Sequence, residues 1–108
     1  MAKGFVTYAT AVILQAVANG YRYGFDIIDV TGMPGGTIYP ALRRLEDAGH
    51  LASTWEEPAV SRVEPRPPRK YYELTRSGHD MLAEAVKRYR LLEQTPPVKA
   101  RKPRPSRA

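Results

Sequence analysis

Residues 34–51, PGGTIYPALRRLEDAGHL, hold two patterns in one short stretch. Ile38, Leu42 and Leu45 recur four and three positions apart, so they share the buried face of an α-helix. Thr37, Tyr39, Pro40, Arg43 and Arg44 fall on the other faces. Proline at 40 suits a helix that starts near Gly36, with its missing N–H inside the first turn, where no intrahelical partner is needed. Ala48-Gly49-His50 ends the helix. Free backbone N–H groups and the positive end of the dipole make such an N-terminus attractive to an anion. Gly35 and Gly36 let a backbone approach closely there.

Upstream, Phe5, Tyr8, Ala9, Val12, Ile13 and Ala16 form one helical stripe that Asn19-Gly20 closes. A second, shorter helix is expected over Tyr23–Val30, with Phe25, Ile28 and Ile27 inward and Asp26 and Asp29 at the surface. Thr31-Gly32-Met33 then turns the chain. Downstream, residues 51–55 and 69–75 are short segments rich in aromatic or β-branched residues, and the 13 residues between them contain four prolines. This pattern predicts a β-hairpin with a long extended loop. Arg62, Arg66, Arg69 and Lys70 face one acid, Glu64, in its second half. Alternation puts Tyr72 and Leu74 toward the core and Tyr71 and Glu73 outward, and Trp55 is expected to pack. Thr75 can cap a last helix in which Leu82, Ala85, Tyr89 and Leu92 repeat at three, four and three, beside Met81 and Val86.

The chain has 108 residues, enough for one domain with one core. Two units follow: a folded domain over 1–95 and a disordered basic tail over 96–108. The tail holds Lys99, Arg101, Lys102, Arg104 and Arg107 with no acid, and so accounts for most of the formal charge of +6. The body is nearly neutral, and a nucleic-acid footprint in it must come from local clustering. With no cysteine there is no disulfide framework or thiolate site, which suits a reducing cytoplasm. Thr7, Tyr8, Thr10 and Gln15 interrupt the first apolar run, so neither a signal peptide nor a membrane contact is expected. His50 and His79 lack the carboxylate spacing of a metal site, and Ser53, Ser61, Ser77 and Ser106 sit in no nucleophile-elbow pattern. No metal, cofactor or enzymatic activity is expected.

Helix, helix, turn, helix, hairpin, helix is the order of a winged helix-turn-helix, a mainly α fold with a small β-hairpin wing. Its third helix enters the major groove of double-stranded DNA. Tyr39 and Thr37 then offer hydroxyls to phosphate, while Arg43 or Arg44 reaches either phosphate or a guanine edge. The seam on the last helix runs beyond what three short helices cover, which predicts burial against a second copy of the chain.

Three motifs in order, YGFDI (23–27), the stretch 34–51 and RPPRKYYELTRSGHDML (66–82), resemble the PadR family of bacterial transcriptional regulators. The resemblance covers roughly residues 12–92 and is closest to the short-tailed subfamily. It implies a homodimer with a C-terminal dimerisation helix that binds an inverted-repeat operator, usually as a repressor, often relieved by a small-molecule effector. The DNA-binding positions it carries over are Thr37, Tyr39 and Arg43 or Arg44 in the helix, Arg66, Arg69 and Lys70 in the wing and, only weakly, Tyr8 or its neighbours in the first helix. Gly36 and Pro40 join them from the helix start, and Leu82, Ala85, Tyr89 and Leu92 form the dimerisation set. His50 departs from the family, which usually has an aliphatic residue there, and the loop before Arg69 is longer than in its shortest members. A rival expectation is a winged-helix module that binds protein or nucleic acid without sequence preference through its basic tail.

Overall fold

A computed structural model describes residues 6–57 and 66–90. Along these run α1 (Tyr8–Ala18), α2 (Gly24–Thr31), α3 (Gly35–Asp47), β1 (Leu51–Trp55), β2 (Lys70–Leu74) and α4 (Arg76–Arg88). The basic tail, Phe5, Arg62, Glu64 and Leu92 lie outside the described residues.

α1 starts at Tyr8 because Thr7 caps it, its side-chain oxygen accepting from the Thr10 N–H at 3.2 Å. Its buried residues are Ala11, Ile13, Leu14, Ala16 and Val17. The expected stripe is therefore corrected at Tyr8, which is exposed, and at Ala9 and Val12, which are partly covered. The reason is tertiary. α1 lies at the centre and touches α2, α3, β2 and α4, so a wide sector faces the core.

In α2 the inward residues are Gly24 and Ile27, with Ile28 packed at the edge of the core. Phe25 is 67% exposed and not inward as expected. A helical stripe through 24, 27 and 28 leaves position 25 on the outer side, where its ring meets Tyr23 edge-on at 6.4 Å. Gly32 ends α2 at φ +75°, a left-handed conformation that glycine adopts without cost, and its N–H donates to the Ile28 carbonyl at 2.8 Å. The Thr31 hydroxyl donates to the Ile27 carbonyl and accepts from the Met33 N–H, which tightens the turn into α3.

α3 buries Ile38, Leu42 and Leu45, as its spacing predicts, together with Ala41. It begins one residue earlier than expected, and this corrects the account of Pro40. The proline sits in the second turn, inside the helix, and has no N–H to give to the Gly36 carbonyl. At the other end His50 N–H bonds the Leu45 carbonyl at 2.8 Å and Gly49 N–H the Glu46 carbonyl at 3.0 Å. This left-handed stop, with Gly49 at φ +85°, redirects the chain into β1.

β1 and β2 pair antiparallel from Leu51↔Leu74 to Trp55↔Lys70, and Glu56 N–H extends the ladder to the Arg69 carbonyl at 2.7 Å. Tyr72 is buried and Leu74 packs on the core, as alternation requires. Trp55 is 62% exposed and does not pack inward, because only one face of a two-stranded sheet meets the helices. A third segment joins the sheet. The Tyr72 N–H donates to the Arg22 carbonyl, the Arg22 Nε donates to the Tyr72 carbonyl, and Tyr23 bridges Tyr71.

Thr75 caps α4 by accepting from the Gly78 N–H at 3.2 Å, and its own hydroxyl donates to the Gly49 carbonyl. α4 packs on α1: Leu82 is 9% and Ala85 2% exposed, Tyr89 stacks edge-on against Tyr8 at 5.2 Å, and its hydroxyl donates to the Val6 carbonyl at 2.8 Å. Leu82, Ala85 and Tyr89 are thus engaged within one chain. α1 and the residue before its cap cover these three positions of the expected seam, and the fourth, Leu92, lies outside the described residues.

Candidate nucleic-acid interface

The outer face of α3 is left uncovered by the fold. Gly36, Thr37, Tyr39, Pro40, Arg43 and Arg44 are all exposed there, opposite the buried row of Ile38, Ala41, Leu42 and Leu45. The helical period spreads them over one outward sector, with Tyr39 and Arg43 on the flank toward the wing and Thr37 and Arg44 on the flank toward α1. Arg43 lines a polar groove of about 560 Å³ with Tyr39, Glu46, Asp47, Lys70 and Tyr72. Arg44 instead lies beside Thr10, Leu45 and Met81. Neighbours in sequence therefore face different parts of the surface.

The three wing cations come together near Tyr39. Arg66, Arg69 and Lys70 line a second cavity of about 460 Å³ with Tyr23, Phe25, Tyr39, Trp55 and Tyr72. Each cation is held by the protein itself. Arg66 grips Glu56 with two parallel bonds of 2.6 and 2.8 Å. That hydrogen bonding, reinforced by the Arg69 backbone, holds the Glu56 carboxyl down to about 2 from an ordinary 4.5. The Arg69 guanidinium lies 4.4 Å from the centre of the Tyr23 ring, and its hydrogen bond to Tyr71 favours the charged form. Burial pushes the Tyr23 and Tyr72 hydroxyls above the usual tyrosine range, so both stay neutral and able to donate.

Lys70 meets Glu46 at 3.2 Å and sits 5.6 Å from the Trp55 and Tyr72 ring centres. Ser53 donates a short hydrogen bond to the other Glu46 oxygen, and this bond, with Lys70, lowers the Glu46 pKa. Glu46 thereby ties α3 to both strands of the wing. Sequence reasoning named the cations and missed the two acids that aim them. For Glu46 the available signal was only an acid three positions after Arg43, which any solvated helix face carries.

Among the described residues no group of three or more His, Cys, Asp or Glu side chains is placed to hold a metal ion, and no helix is long and apolar enough to cross a membrane. His50 is spent on structure, its Nδ1 lying 2.9 Å from the Ser77 hydroxyl at the start of α4. The surface offers hydroxyls, guanidinium groups and an ammonium around a helix N-terminus, a set that binds phosphate and base edges.

Comparison with known proteins agrees. The transcriptional regulator PadR-like family model matches residues 13–84. The structure is similar to that of a PadR-like transcription factor from Bacteroides fragilis, at 31% identity over 80% of this chain and 84% of that one, with a TM-score of 0.63. It is similar also to a PadR family transcription regulator from Clostridium difficile R20291, at 25% identity over 82% and 93% of the two chains, with a TM-score of 0.66. BpsR of Bordetella bronchiseptica, whose DNA binding is regulated by 6-hydroxynicotinic acid, shares the fold at 21% identity over 95% and 73%, with a TM-score of 0.66. No curated protein matches the sequence. A family match across the whole helix-turn-helix and wing, together with the uncovered basic face of α3, makes this chain a member of the PadR-like family, a DNA-binding transcriptional regulator and not an enzyme.

Proposed function

We propose that the chain acts as a homodimeric repressor that binds an inverted-repeat operator, with α3 in the major groove and the wing on the flanking backbone. The observation that carries this reading is the outward sector of α3, where Gly36, Thr37, Tyr39, Pro40, Arg43 and Arg44 are exposed on a helix anchored by four buried residues. Tyr39 and Thr37 donate to phosphate oxygens, Arg43 and Arg44 reach phosphate or guanine, and Arg66, Arg69 and Lys70 hold the backbone beside the groove. Two copies related by a two-fold axis put two α3 helices about 34–36 Å apart, one turn of the duplex.

The dimer contact of this reading uses the outer side of the α1–α4 pair, where Tyr8 is exposed and Met81 and Val86 are only partly covered, and continues into Leu92 beyond the described residues. Leu82, Ala85 and Tyr89 support that contact from beneath by fixing α4 on α1. A small molecule relieves repression, in parallel with the regulation of BpsR by its ligand. The test is fluorescence anisotropy with DNA from the chain's own promoter region over a range of salt. Specific binding should weaken with salt and be weakened by Tyr39→Ala and by Arg43→Ala; equal binding by both variants contradicts the residue roles.

A further inference from the structure

We infer that Gly24 is a positioning residue for DNA binding: the space of its missing side chain is the slot that holds the Tyr39 ring. Gly24 is buried at the first position of α2, and its φ is not positive, so backbone conformation does not call for glycine. A Cβ built there meets Tyr39 first: it would stand 2.6 Å from Cζ, and closer still to Cε1 and the hydroxyl. Ordinary van der Waals contact begins at 3.4 Å. On the other edge of the ring, a Cβ on Gly35 would lie 3.4 Å from Tyr39 Cδ2 and Cε2. The ring is therefore seated between the first residue of α2 and the first residue of α3. Tyr39 is still 44% exposed, so one side of the ring is seated and the rest looks onto the groove shared with Arg43 and Lys70.

A side chain seated in this way is ordered before DNA arrives and loses little rotamer freedom on binding. The slot also fixes the spacing of α2 and α3 at their N-terminal ends. This inference rests on the reading that the Tyr39 hydroxyl meets a phosphate, and the test separates the two. Position 24 begins a helix with ordinary φ, where alanine is locally favoured over glycine. A purely local role for Gly24 thus predicts that Gly24→Ala makes the protein more stable in any background.

Gly24→Ala, Tyr39→Ala and the double variant are compared with the unaltered chain in thermal midpoint and in affinity for a DNA fragment recovered by genomic selection. Gly24→Ala alone should lower the midpoint and weaken binding about tenfold or more. In the Tyr39→Ala background the same change should raise the midpoint and leave affinity unaltered. Failure of Gly24→Ala to fold while the double variant folds supports the slot equally. Equal effects of Gly24→Ala in both backgrounds, wild-type behaviour of Gly24→Ala, or failure of both variants to fold overturns it. If Tyr39→Ala binds DNA like the unaltered chain, the phosphate reading falls and with it the part of Gly24 in DNA binding, while the midpoints still decide the slot.

Discussion

Arg43 and Arg44 are adjacent in sequence and look onto different neighbours, one onto Lys70 and Tyr39, the other onto Thr10 and Met81. Charges that share a groove act on the same phosphates, whereas separated ones act independently. Arg43→Ala and Lys70→Ala should therefore be non-additive in a double-mutant cycle of DNA affinity, while Arg44→Ala and Lys70→Ala add. Each loss of a phosphate contact should reduce the slope of log affinity against log salt by about 0.9. Tyr39→Phe removes one hydroxyl that donates to a charged phosphate and should cost about 1.5–3 kcal/mol of binding. Beneath this face, Leu42→Ala should destabilise the fold by about 2–5 kcal/mol in urea unfolding, because Leu42 is fully buried. The buried row was legible because period alone decides it. The division of the arginines was not, since it depends on which elements stand beside each flank.

The wing is an element whose shape is held by acids at its root. The Glu56 carboxyl lies at about 2 against an ordinary 4.5, so its pair with Arg66 contributes fully above about pH 4.5 and is lost as pH falls toward 2. A carboxyl titration by NMR should give that low midpoint, and Arg66→Ala should return it toward 4.5; an ordinary midpoint in the unaltered chain contradicts the pairing. Glu46 should act in the opposite sense for DNA, since it pairs with Lys70, the ammonium that the proposed reading places on phosphate. Glu46→Gln should tighten DNA binding by up to about fivefold, the scale of an exposed ion pair, with a steeper salt dependence. The strands and the cap at Thr75 could be read from alternation and side-chain chemistry. The pairing of Arg22 and Tyr23 with β2 could not, because two residues carry no period. Phe25 and Trp55 misled for a related reason: hydrophobicity says what prefers burial, but the two-stranded sheet and the short α2 have too little cover to grant it.

At the scale of the whole molecule the order of elements carried the fold, because three helices, a hairpin and a last helix at these spacings admit few arrangements. Where the seam of α4 goes was not legible. A stripe at helical spacing looks the same whether it meets α1 of its own chain or a second copy, and Leu82 and Ala85 meet their own. Sedimentation at micromolar concentration should still show a dimer, formed through the outer side of the α1–α4 pair; a monomer contradicts that part of the proposal. Deleting residues 96–108 should lower non-specific affinity and its salt slope while leaving the specific site intact. The central claim is that the outward face of α3 reads DNA. Selection of genomic fragments by the unaltered chain and by Arg43→Ala in parallel tests it most directly. The unaltered chain should enrich an inverted repeat with half-sites about one helical turn apart, and Arg43→Ala should not. Equal enrichment of the same sequence by both, or no enriched sequence with the unaltered chain, would contradict it.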